Sequence, residues 1–281
     1  MWKIRYLLIV LFMYLIAVPA SASSDISTKT LIDIKVNGQF INCDIRPFID
    51  SGTTYVPIRF VGEALCADEV SWNAQNNTAI IRDSGNEIVL PIGKNYAYIN
   101  GAVVKISSGT KLIDGRTFVP VRFVSENLGA TVNWDGNYFI VSINRGSTVV
   151  PAILIKNRGY SDDDIYWMSR IIEAESSGEP IEGKIGVGNV ILNRVLSNEY
   201  PNTVHDVIFD SNFGIQFEPV SNGAIYNAPS HDSIVAAKYT LEGKNIVGNC
   251  MYFLNPVIAT GWWIVNNRAY YSTIGNHNFY V

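Results

Sequence analysis

The chain has 281 residues, 48% of them hydrophobic and only 16% charged, with 25 acidic side chains against 21 basic ones. That length fits one or two globular domains. The acidic balance and the lack of any basic run of five or more residues give no sign of a nucleic-acid partner, so an anionic polymer must be recognised by local contacts.

At the N-terminus Lys3 and Arg5 precede an unbroken apolar run from Leu7 to Val18, and Ala20-Ser21-Ala22 has the small residues of a cleavage site. This is the pattern of a signal peptide over residues 1–22, with an apolar part too short to span a bilayer comfortably. An exported chain is expected, carrying 19 basic and 25 acidic residues once the signal is removed, a net charge of −6. Its three cysteines are an odd count. Cys43 and Cys66 share the N-terminal half and can pair, Cys250 stands apart, and all three also suit small buried apolar sites.

An internal repeat follows. Tyr55-Val-Pro-Ile-Arg-Phe-Val-Gly-Glu-Ala-Leu-Cys66 matches Phe118-Val-Pro-Val-Arg-Phe-Val-Ser-Glu-Asn-Leu-Gly129 at seven of twelve positions. Asn37-Gly38 recurs as Asn100-Gly101, and Trp72 as Trp134. Asn-Gly marks a hairpin turn because both residues tolerate positive φ. Each copy therefore reads as a hairpin, a loop holding Asp50 or Asp114, a short helix near 58–66 or 121–129, and a closing hairpin around the Trp. Two copies predict a pseudo-symmetric, β-rich α+β module over residues 29–146. The Val-Pro-Ile/Val-Arg-Phe-Val segments and Asn-Gly turns resemble the stalk-like domain named from the N-terminal region of copper amine oxidases. Residues 24–150 contain no His, which removes a copper site of the imidazole type. The half is read as a spacer or binding module.

Residues 147–159 form a connector punctuated by Pro151 and Gly159, with an apolar centre able to pack on one domain. Ser161 with Asp164 then forms a capping box, and a helix is predicted from Asp162 to Ser176, stopped by Gly178 and Pro180. A second helix is predicted from Ile181 to Leu196. It is apolar almost all round, as a central buried helix would be, with Gly183, Gly186 and Gly188 allowing close neighbours. Beyond Pro201 the pattern reads as irregular and aromatic, with short strand-like pieces such as Cys250–Leu254.

On the first helix Ile165, Met168, Ile171, Ile172 and Glu175 fall within an arc of roughly 120°. Glu173 points the other way, with Tyr166 and Arg170, and reads as a solvated residue. A carboxyl on an apolar face loses hydration and its pKa rises, which keeps it protonated for donation to a leaving oxygen. Glu175 is the candidate general acid.

The series Glu175-Ser-Ser-Gly-Glu-Pro-Ile-Glu-Gly-Lys184, Val190-Ile-Leu-Asn-Arg-Val195, Tyr200-Pro-Asn-Thr-Val204, Gln216-Phe-Glu-Pro-Val220, Tyr252-Phe-Leu-Asn-Pro256 and His277-Asn-Phe-Tyr280 resembles the spore cortex-lytic and cell wall hydrolase family. The resemblance implies a small lysozyme-like catalytic domain over 160–281, akin to goose-type lysozymes and lytic transglycosylases. It implies action on peptidoglycan glycan strands of cell wall or spore cortex, with Glu175 as the catalytic Glu. Members acting on cortex often carry a peptidoglycan-binding repeat in front, where this chain has the duplicated module instead.

One acid suffices for transglycosylation. Protonated Glu175 donates to the glycosidic oxygen between N-acetylmuramic acid and N-acetylglucosamine, then takes the proton of the sugar's own C6 hydroxyl, leaving a 1,6-anhydro end. Hydrolysis needs a held water, for which Glu179, Glu182 and Glu218 are candidates. The transglycosylase is the favoured reading. Asn193, Gln216, Tyr252 and Asn255 are candidate sugar-binding residues, being amides and a ring. Trp262-Trp263 offers stacking or, more commonly in a small domain, core and edge packing, and His277 suits a structural hydrogen bond. No metal or organic cofactor is expected. Three alternatives are a zinc amidase using His205, His231 and His277, a Cys–His peptidase using Cys250 and His277, and a non-catalytic wall-binding protein.

Overall fold

The computed structural model describes residues 30–281 except Phe213, so the export signal expected at 1–22 lies outside the described residues. The α+β class expected from the sequence holds, with strands concentrated before residue 145 and helices after residue 160.

The duplication is built into a central sheet. Its order is Lys111–Ile113, Arg116–Pro120, Thr53–Pro57, Phe48–Asp50. The inner strands pair antiparallel, Phe118 with Pro57, Val119 with Val56 and Pro120 with Tyr55. Tyr55, Val56 and Pro57 are the repeat counterparts of Phe118, Val119 and Pro120, so this register places a local dyad at the Val56–Val119 pair. Pro57 and Pro120, at φ −60° and −59°, then turn each strand into a short helix, α1 (Ile58–Ala64) and α2 (Val121–Asn127). A ring-locked φ near −65° suits both roles.

The predicted Asn-Gly turns form, with φ of 45° and 82° at Asn37-Gly38 and 51° and 81° at Asn100-Gly101. The stretches read as Asp-containing loops are instead hairpins, turning at Ser51-Gly52 and Asp114-Gly115, again with φ positive at both residues. The pseudo-symmetry breaks in the flanking sheets. In one, the strand Asp33–Val36 pairs parallel with Ile140–Asn144. In the other, Asn86–Pro91 is inserted between Thr78–Asp83 and Tyr96–Ile99, which makes every pairing antiparallel. Both sheets and both helices feed one core that includes Ile34, Ile81, Leu90, Val119, Val124 and Ile143.

The connector packs on the N-terminal module. Val150 and Leu154 enter its core, and the backbone of Lys156 and Asn42 bonds across to Phe40 and Leu154. Cys43, Cys66 and Cys250 are all free, and Cys66 is exposed, so neither a Cys43–Cys66 disulfide nor three buried thiols is found.

The C-terminal domain begins with α3 (Asp162–Ser176), whose start carries the predicted capping box between Ser161 and Asp164. Helix α4 (Ile181–Val195) is buried on nearly every side. A Cβ on Gly186 would stand 2.6 Å from the Phe279 ring, and one on Gly188 would stand 2.6 Å from Thr240 Oγ1, so these two glycines admit their neighbours. The region read as irregular holds short α5 (Val204–Ile208) and α6 (Glu218–Asn222), and an eleven-residue helix, α7 (His231–Leu241), packed against both α3 and α4. Beyond it lie α8 (Trp263–Asn267) and a sheet ordered Tyr252–Leu254, His277–Tyr280, Tyr270–Ile274. No helix among the described residues is long and apolar enough to cross a membrane.

A seam of apolar and ionic contacts joins the two halves. Phe139 packs with Ile165, Ile234 and Val235. The fully buried ammonium of Lys238 sits 2.8 Å from Asp33 and donates to the carbonyl of Tyr138 at 2.9 Å. Glu242 accepts from Arg46 at 2.5 Å and from Tyr160 at 3.2 Å, and Lys35 pairs with Asp162 at 3.0 Å.

Candidate active site

Glu175 occupies the last turn of α3 and opens into a cleft of about 960 Å³ between α4, the Gln216–Glu218 segment and the Tyr252–Leu254 strand. The cleft combines apolar walls with a few convergent polar groups, as ligand sites do. The carboxyl of Glu175 is half-buried and meets no hydrogen-bond donor among the described residues. Burial, and then the nearby Glu218 carboxylate, push its pKa up to about 7, against the opposing pull of Arg194.

Glu173 shows what two positions along one helix can change. It is not simply solvated: it accepts from Ser233 Oγ at 2.6 Å, from Ser230 Oγ at 2.5 Å and from Ser230 N at 3.1 Å, tying α3 to the start of α7. Against the burial that opposes it, those bonds hold Glu173 below the usual carboxylate range. The two carboxylates are therefore driven in opposite directions, and of the two only Glu175 lines the cleft. Glu175 is the group poised near neutrality.

Of the four candidate sugar-binding residues, Gln216 and Tyr252 line the cleft with Glu175. Asn193 and Asn255 are placed elsewhere. The Asn193 amide donates to the carbonyls of Gly248 at 2.8 Å and Cys250 at 2.9 Å, bracing α4 against that loop, and Asn255 Oδ1 accepts from Val257 N at 3.0 Å within a turn. Among the three carboxylates considered for holding water, only Glu218 lines the cleft. Glu179 is bound by Asn276 at 2.8 and 2.9 Å, and Glu182 lies in the first turn of α4.

Sequence reasoning missed Arg194, whose buried guanidinium stands 5.0, 5.3 and 5.6 Å from the rings of Tyr200, Phe217 and Tyr252. Its Nε donates to Met251 O at 2.9 Å, while Nη1 has no acceptor among the described residues. The available signal was its place in the Val190–Val195 motif on a helix already read as buried. For Trp262-Trp263, of stacking and core-and-edge packing, the structure leaves no place for the core reading. Both Trp262 and Trp263 are exposed, and Trp263 forms one lip of the cleft, with Arg268 5.1 Å from its ring and bonded to the Tyr252 hydroxyl at 2.8 Å.

The histidines sit apart. His205 pairs with Asp206 and packs on Trp167 and Phe209, His231 pairs with Asp232, and His277 is buried against Phe253. Among the described residues no three His, Cys, Asp or Glu gather as a metal site. The Cys250 thiol is fully buried, and burial pushes its pKa up to about 11, the reverse of what a nucleophilic thiolate needs.

Residues 35–143 match the family model of the Copper amine oxidase N-terminal domain, and residues 178–280 match that of Cell Wall Hydrolase. Glu175 lies just before the second match and is not covered by it. The chain is 40% identical over 121 residues to a spore cortex-lytic enzyme of Bacillus cereus, covering 43% of this chain and 45% of the relative. It is 38% identical over 133 residues to one from Halalkalibacterium halodurans, covering 47% and 37%. The chain thus spans less than half the length of these relatives. Among solved structures, the catalytic domain of the germination-specific lytic transglycosylase SleB from Bacillus anthracis is 39% identical, with a TM-score of 0.41, over 45% of this chain and all of that one. The C-terminal half resembles the cell wall hydrolase family and the N-terminal half the copper amine oxidase N-terminal domain, as their motifs implied.

Proposed function

We propose that this chain is an exported peptidoglycan-cleaving enzyme whose residues 160–281 act as a lytic transglycosylase on the glycan strand. The observation that carries this reading is a carboxyl set in an aromatic-lined cleft with no ion pair to it among the described residues, where burial raises its pKa. Relatives named as cortex-lytic enzymes make spore cortex the first wall to test.

In the proposed reaction Glu175 gives its proton to the glycosidic oxygen between N-acetylmuramic acid and N-acetylglucosamine as the C1–O bond breaks. Positive charge builds at C1 of the muramic ring. Glu175, now ionised, takes the C6 hydroxyl proton of that same ring as O6 bonds to C1. The proton returns to Glu175, no water is consumed, and the product end is 1,6-anhydro. Tyr200, Phe217, Tyr252 and Trp263 supply apolar faces for the rings, and the unpaired Nη1 of Arg194 is a donor for a sugar hydroxyl or acetamide.

Mass spectrometry of muropeptides released from cortex and vegetative wall should show anhydro ends. Glu175→Gln should reduce that release by roughly 10²–10⁴-fold, the usual worth of a positioned general acid. A folded Glu175→Gln with full activity would sink the mechanism. Glu218 in the cleft favours one second reading, a hydrolase with Glu218 holding water. Reducing ends lost in Glu218→Gln would establish it.

A further inference from the structure

The dyad of the N-terminal module generates a matched pair of grooves, of about 450 and 640 Å³, within the size range of small-ligand sites. The first is walled by Arg59, Phe60, Val70 and Trp72 of repeat one and closed by Leu112 and Arg116 of repeat two. The second uses Arg122, Phe123, Val132 and Trp134 of repeat two, closed by Ile49 and Thr53 of repeat one. These are counterpart positions. Each groove therefore exists only because both repeats are present, and each retains the same Arg, Phe, Val and Trp.

Structural duties explain part of that retention. Phe60 and Phe123 pack against the core, and Arg122 bonds Glu126 at 3.2 Å and the Val132 carbonyl at 2.5 Å. They do not explain Trp72, which is 43% exposed and whose indole makes no ring contact or hydrogen bond among the described residues. Trp134 is 41% exposed, and its ring stacks at 6.1 Å on Phe139, the same Phe that packs against the helical domain. An indole standing in a groove beside fixed polar groups is an amphipathic platform: its face takes the C–H side of a sugar ring while polar neighbours meet the hydroxyls. Beside Trp72 those neighbours are Arg116, held to Asp44 at 2.6 Å, and Arg59, which has no acidic partner among the described residues. This groove thus keeps one uncompensated positive charge on a chain of net charge −4. Sugar rings with nearby carboxylates would complement an exposed indole beside such a charge.

We propose that the N-terminal module is a two-site glycan holder, seating two stretches of a peptidoglycan glycan strand on Trp72 and Trp134, with Arg59 facing stem-peptide carboxylates. A polymer that presents one unit repeatedly suits a protein that presents one groove twice. Two linked sites raise overall retention by up to roughly 10²–10⁴-fold over one. The proposal rests on the reading of the C-terminal domain as a peptidoglycan-cleaving enzyme.

The test is co-sedimentation of the full chain with insoluble peptidoglycan sacculi, in the Glu175→Gln background so that the polymer stays intact. Trp72→Ala and Trp134→Ala together should weaken retention at least tenfold, and Trp72→Ala alone by less. Arg59→Glu should weaken it most at low salt. Melting temperature controls for folding, and Trp72→Ala is the cleaner variant because its ring touches no other. With Glu175 intact, the Trp variants should cleave short soluble glycan fragments as the parent does. Retention of the double variant equal to that of its background overturns the holder, and leaves the enzyme reading standing if the parent still releases glycan products. Loss of retention alongside a parent that releases no product on any wall supports the holder and overturns the enzyme reading.

Discussion

The seam between the two halves and the cleft in the second half both take charge out of water, and they do so for opposite ends. At the seam Lys238 is wholly buried but meets Asp33 at 2.8 Å, with Lys156 and Arg158 also near that carboxylate, and Glu242 gathers Arg46, Lys156 and Tyr160. In the cleft Glu175 faces a second carboxylate, and Arg194 stands near without a hydrogen bond to it. A buried charge with its partner fixes an arrangement. A buried acid without one keeps its proton and remains reactive.

Lys238→Ala tests the seam most severely. It takes away the nearest cation of a buried carboxylate and leaves Asp33 with Lys156 at 3.5 Å and Arg158 at 3.9 Å, so the loss should reach at most the about 3–5 kcal/mol that breaking a buried pair costs. The melting temperature should fall sharply, while a melt like that of the parent would mean the pair holds nothing. The same experiment on Glu175 should go the other way. Its folded pKa of about 7 lies above the unfolded value near 4.5, so the folded state holds the extra proton between those values and stability falls as pH rises through that window. Glu175→Gln removes the loss. Variant and parent should melt alike below pH 4.5, and above pH 7 the variant should be more stable, by at most about 3 kcal/mol. Equal stability at pH 8 would mean Glu175 is not desolvated in solution. The smallest effect concerns Glu218, whose negative charge helps raise Glu175. In Glu218→Gln the falling limb of the pH–activity curve should move to lower pH. An unmoved limb would leave burial as the whole cause.

Much of this contrast was legible locally. The capping box at Ser161–Asp164, the Asn-Gly turns and the helical arc through Ile165, Met168, Ile172 and Glu175 are short-range patterns that survive into the fold. Helix α7 was missed although Ser230 caps it, because Ile234, Val235, Ala236, Ala237 and Lys238 are buried in succession, which leaves no polar stripe to give a period. Its lysine reads as surface until Asp33, some two hundred residues earlier, is brought beside it. Asn193 looked like a sugar ligand because an amide suits sugars, yet its partners are two backbone carbonyls, which no spacing reveals. Arg194 was hidden by the same rule in reverse: its aromatic surroundings come from three separate segments.

The parallel pairing of Asp33–Val36 with Ile140–Asn144 sets an order of events as the chain is made. The opening strand emerges first and must wait for the last strand of the second repeat, more than one hundred residues later. Until then its hydrogen-bonding edge toward that partner is open, and the Val56–Val119 pair in the middle of the module has only one of its two members. Such long-range closure is slow and leaves strand edges exposed in the interval. A chain stopped after the first repeat would leave that outer strand without its partner and the centre of the module with one Val of its pair.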